Sequence, residues 1–97
     1  MFENLDAVEK RYEELTVRIS DPDVIANQNE WRKNMKEHSD LEPVVMKYRE
    51  CKEVLKTLEE AKEMMNDKEL KDLAEEEMLN AKEALPKLEE ELKILLI

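Results

Sequence analysis

The sequence predicts an all-α fold: a long antiparallel coiled-coil hairpin with a shorter N-terminal helix packed at its base, together a three-helix bundle. Three observations carry that expectation. Glycine is absent, and Glu, Lys, Leu, Ala and Met, all strong helix formers, dominate the composition. Apolar residues recur at gaps of three or four, which places them on one face of a helix. Charged residues reach 43% and aromatics only 4%, the balance of long helices and coiled-coil bundles. So charged a chain could instead be disordered, but its apolar residues are regularly spaced rather than scattered. At 97 residues there is room for one small helical domain, residues 1–97, with a thin core.

The first helix is expected over about 2–19. Phe2, Leu5, Val8, Tyr12, Leu15 and Ile19 form its apolar stripe. Asp6–Lys10 and Glu14–Arg18 are spaced as favourable i,i+4 pairs on the wet side. Ser20-Asp21-Pro22-Asp23 then interrupts, because proline lacks an amide donor and restricts the residue before it. Val24 and Ile25 are expected to tuck back onto the bundle in a short helical turn. Asn27 followed by Glu30 resembles a capping box.

The second helix is expected over 28–65. Its stripe is Trp31, Met35, His38, Leu41, Val44, Val45, Tyr48, Cys51, Val54, Leu55, Leu58, Ala61 and Met65. Pro43 interrupts this run. Ser39 could restart a helix there, but the stripe keeps its phase, which favours continuation through a kink. Asn66 and Asp67 are preferred N-cap residues, so a third helix is expected over 68–95, antiparallel to the second after a short connection. Its stripe is Leu70, Leu73, Ala74, Glu77 or Met78, Ala81, Leu85, Leu88, Leu92 and Leu95, with Pro86 inside it. Glu83–Lys87 and Glu89–Lys93 are spaced as further ion pairs.

Charge narrows the partners. The net charge is −10, and no basic stripe emerges, so no direct nucleic-acid site is visible. Proteins, basic ones included, are the better partners. The polar faces are acidic, which argues against anionic lipid surfaces, and no apolar run is long enough to span a membrane. The lone cysteine, Cys51, fits a reducing compartment, and Met1–Lys10 does not read as a signal peptide, so a cytoplasmic protein is expected.

Catalytic chemistry is not expected. Phosphate-cradling loops, dinucleotide fingerprints and nucleophile elbows all need glycine in their turns. His38 is the only histidine, so no histidine pair can hold a metal or run a relay. It falls on the apolar stripe and reads as a packed residue before a pH-sensitive contact. Cys51 reads as a small buried hydrophobe, and Trp31 as a packing anchor before a partner hot spot. Glu75-Glu76-Glu77 and Glu89-Glu90-Glu91 point in directions about 100° apart on a helix and cannot converge on one ion. No cofactor or metal is called for. The best candidate contact is the hairpin tip: Met64, Met65, Asn66, Asp67 and Lys68, with methionines suited to adaptable binding.

The opening Met1-Phe2-Glu3-Asn4-Leu5, with Val8-Glu9-Lys10-Arg11-Tyr12-Glu13-Glu14-Leu15, resembles the start of bacterial class I peptide chain release factors. So do Ile19-Ser20-Asp21-Pro22-Asp23-Val24-Ile25, Tyr48-Arg49-Glu50-Cys51-Lys52 and the ending Leu88–Ile97, with Cys51 departing from the usual aromatic. The resemblance implies the first, non-catalytic domain of a larger translation termination factor. It would lie near the stalk-base proteins of the large ribosomal subunit, in association with the class II release factor GTPase. The family's Gly-Gly-Gln hydrolysis loop has no counterpart in a chain without glycine. Nor do Pro22-Asp23-Val24, Pro43-Val44-Val45 or Pro86-Lys87-Leu88 fit the Pro-Xaa-Thr codon reader of the branch this chain resembles. The alternative is a free-standing coiled-coil scaffold or chaperone-like hairpin, and exposed apolar surface would let the isolated chain self-associate.

Overall fold

Proline and aspartate at 21–23 set the first boundary, and they build more structure than a turn. The computed structural model describes residues 3–97, in which the elements are α1 (Glu3–Arg18), α2 (Pro22–Ala26), α3 (Gln28–Met64) and α4 (Lys71–Leu95). Phe2, assigned above to the first stripe, lies outside the described residues. Asp21 caps α2: its carboxylate accepts the Asp23 amide at 2.9 Å, and Pro22 occupies the first turn, where its missing N–H costs nothing. Val24 is buried but Ile25 is 47% exposed, so only one of the pair tucks in as expected. Asn27 then caps α3, its side-chain oxygen accepting the Glu30 amide at 3.3 Å.

The helices divide between two compact units, Met1–Met46 and Lys47–Ile97, and α3 contributes to both. In the first, α1 packs on the opening turns of α3. Leu5, Tyr12 and Leu15 are buried from α1, and Val44 and Val45 from α3. The partners run antiparallel: Arg11 meets Glu37, while Arg18 meets Glu30. The Trp31 indole N–H donates to the Ile19 carbonyl at 3.1 Å, satisfying a group the end of α1 leaves open. Arg18 pairs across to Glu30 at 2.8 Å and Glu14 goes to Arg11, rather than Glu14 pairing with Arg18 along the helix. Asn34, which the stripe passed over, is buried, and its amide nitrogen has no hydrogen-bond partner among the described residues.

Arg11 grips Glu37 with two hydrogen bonds, Nε to Oε2 at 2.7 Å and Nη2 to Oε1 at 2.9 Å. This fork holds the Glu37 carboxyl below its ordinary value, the hydrogen bond from Arg11 being the largest cause. A carboxylate with a lowered folded pKa adds stability above its unfolded value and loses it as pH falls through the folded one. The urea midpoints of the wild type and Glu37→Gln are therefore expected to be separate at pH 7 and to converge at a pH well below the ordinary carboxylate range. Curves that stay equally separated at both pH values would assign the effect to packing instead.

In the second unit, α4 packs on the later turns of α3. Lys47 pairs with Glu91 near one end, and Met65 lies beside Glu75 and Met78 at the other, so the helices are antiparallel. Tyr48, Cys51 and Ala61 from α3 and Ala74, Ala81 and Leu92 from α4 form the core. Both Pro43 and Pro86 sit inside uninterrupted α-helix, so no new helix restarts at Ser39. Neither Glu83–Lys87 nor Glu89–Lys93 forms an ion pair among the described residues. Exposed pairs of this kind gain little against the rotamer freedom they give up.

Candidate partner-binding surface

The turn between α3 and α4 holds the residues singled out as a contact. The chain leaves α3 through a run of turn bonds: Met65 N to Ala61 O at 3.1 Å, Asn66 N to Glu63 O at 3.2 Å and Asp67 N to Met64 O at 3.0 Å. Asp67 then organises the connection. Its carboxylate accepts the Glu69 amide at 2.9 Å and its carbonyl the Leu70 amide at 3.1 Å. Asp67 thus caps a turn rather than a helix, and α4 begins at Lys71, three residues later than expected. Leu70 takes the cap position with no side-chain bond.

Asn66, Asp67 and Lys68 are exposed, whereas Met64 and Met65 are half-buried. Met65 joins Glu75, Met78, Leu79 and Lys82 around an open hollow of about 250 Å³. Leu79 is 59% exposed and was missed by stripe reasoning because it stands off the stripe. An apolar residue on an otherwise charged face was the available signal. The turn therefore has polar groups at its tip and a hollow beside it lined by Met65 and Met78.

The two residues with reactive side chains are spent on packing. His38 stacks on Tyr12, ring centroids 4.3 Å apart. Its Nε2 lies 3.0 Å from the Thr16 hydroxyl, which donates to the Tyr12 carbonyl at 3.0 Å. Cys51 is fully buried, and burial first, then Glu89 and Glu50, push its thiol up. A disulfide reagent is expected to modify folded Cys51 at least about tenfold more slowly than the urea-unfolded chain. Equal rates would show that the second core opens freely. Among the described residues no group of His, Cys, Asp or Glu could hold a metal ion, and no helix is long and apolar enough to cross a membrane.

Comparison with known proteins gives this surface its context. The PCRF domain family matches residues 8–97. The chain is 50% identical to peptide chain release factor 1 of Clostridium novyi, with all of the chain matched to 28% of that protein. It is 48% identical to the proteins of the same name from Clostridium acetobutylicum and Clostridioides difficile, over the same shares. The matched part is the N-terminal 28% of these relatives, so the chain spans just over a quarter of their length. No solved structure matches the chain.

Proposed function

The chain belongs to the PCRF domain family, and from that membership we propose that it serves as the N-terminal helical domain of a translation termination factor, docking and positioning that factor on the ribosome. The observation that carries this reading is the similarity of the whole chain to the N-terminal 28% of peptide chain release factor 1. The proposed partners are stalk-base proteins of the large subunit and the class II release factor GTPase, met in the cytoplasm. The proposed contact is the turn with Met64, Met65, Asn66, Asp67 and Lys68.

The domain's role is positional rather than chemical. A chain without glycine supplies no Gly-Gly-Gln loop, so hydrolysis of peptidyl-tRNA belongs to other parts of the factor. A net charge of −10 favours encounter with basic ribosomal proteins over a grip on ribosomal RNA. The test is co-sedimentation of the purified chain with large ribosomal subunits. Association at low salt is expected, weakened by high salt and by the double variant Met65→Glu, Lys68→Glu. A helical chain that stays in the supernatant at low salt overturns the reading, and so does release of peptide from peptidyl-tRNA by the chain alone.

A further inference from the structure

The second unit carries a groove that the turn does not use. It is an open hollow of about 280 Å³ between the later part of α3 and the middle of α4. The buried or half-buried Val54, Thr57, Ala81 and Ala84 make its floor, and Glu53 from α3 with Glu77 and Asn80 from α4 complete its lining. The alanines leave room where larger side chains would close the helices together, so an incoming apolar side chain can reach the floor. Leu73, 48% exposed, lies one helical turn beyond Glu77. From Glu77 to Ala84 the lining runs about 10 Å, the length of roughly two turns of a docked helix.

The walls say what such a helix must carry. Neither Glu53 nor Glu77 takes part in an ion pair among the described residues. Other carboxylates of this unit do find partners, Lys47 with Glu91 and Lys62 with Glu59. The helix behind one wall, α4, has eight acidic and four basic residues, so the local field is negative. An apolar floor between unpaired carboxylates on opposing helices is complementary to an apolar stripe flanked by cations.

We propose that this groove binds a basic amphipathic helix of a partner protein, with Leu-sized residues on the alanine floor and Lys or Arg reaching Glu53 and Glu77. The site is separate from the turn at 65–70, and its test does not involve ribosomes. The probe is a fluorescent helical peptide of about fifteen residues, with leucine every three or four positions and arginine on both flanks. Its binding to the full chain is read by anisotropy. Saturable binding is expected, weakened by salt and by at least about fivefold in Glu53→Arg, Glu77→Arg. A peptide with glutamate flanks is expected to prefer the charge-reversed variant. Circular dichroism verifies that the variant is folded, and Val17→Ala, on the exposed side of α1, is expected to bind the arginine peptide as the wild type does. Equal binding of both peptides to wild type and variant overturns the proposal, as does no binding at millimolar peptide. Self-association of the chain that the charge reversal abolishes would also overturn it, because the occupant would then be a second copy.

Discussion

Leu15→Ala is expected to lower the stability of the chain by about 2–5 kcal/mol, the range for emptying a fully buried leucine site. Leu15 has no exposed surface, and it is the largest side chain that α1 buries completely. Its removal takes away transfer free energy and leaves a cavity that Tyr12, one turn away on the same face, cannot fill without leaving its own packing. Helix propensity offsets almost nothing, since alanine and leucine differ little in it. A small domain has about 5–15 kcal/mol in total, so this one change consumes a large share. Urea unfolding followed by far-ultraviolet circular dichroism measures it. Val17→Ala is the control: Val17 lies two residues on in the same helix but is 70% exposed, and its loss should stay within about 0.5 kcal/mol. A Leu15→Ala loss under about 1 kcal/mol would mean that α1 is not held by this contact.

Leu15 was legible in the sequence, and so was most of the core. The stripe through Leu5, Tyr12 and Leu15, and the one through Val45, Tyr48, Cys51 and Ala61, are buried where helical spacing placed them. Spacing works here because apolar residues recur every three or four positions along both helices. What it missed depends on neighbours. Arg18 turns to Glu30 on another helix, and no rule internal to α1 could prefer that to Glu14. Asn34 is buried although the stripe steps from Trp31 to Met35, because hydrophobic spacing assigns polar residues outward. The start of α4 slipped by three residues because Asp67 can cap a turn as well as a helix, and only the backbone decides between them.

The candidate surface was less legible than the fold. The turn was found from Asn66-Asp67, but Met64 and Met65 are half-buried, and the hollow beside Met65 is completed by Met78 and Leu79 from α4. Such a surface forms only when two helices come together, so it has no contiguous motif. The groove walled by Glu53 and Glu77 has the same character, one wall from each helix. Composition could exclude glycine-dependent chemistry, but it could not name a partner. The family entered through whole-chain resemblance, which physical spacing does not supply.

Pro43→Ala and Pro86→Ala are each expected to raise stability by about 2 kcal/mol, the opposite sign from most substitutions. Both prolines stand inside continuous α-helix, and both are exposed, so neither ring is needed to fill a core. Each lacks the amide that would bond the carbonyl four residues back, at Ser39 or Lys82, and its ring crowds that carbonyl. Proline in a helix interior costs about 3 kcal/mol relative to alanine. Alanine returns about 0.4–1 kcal/mol of this by freeing the unfolded chain. Thermal unfolding reads the remainder, at about 4–8 °C per kcal/mol for a domain of this size. A melting temperature unchanged or lowered would show that α3 and α4 pack in shapes that require the proline, so that straightening them breaks contacts. A rise would show that the packing of α3 and α4 does not require either proline. The Pro43→Ala variant would then be the one to carry into the ribosome co-sedimentation experiment, where weaker association despite a more stable fold would assign Pro43 a part in docking.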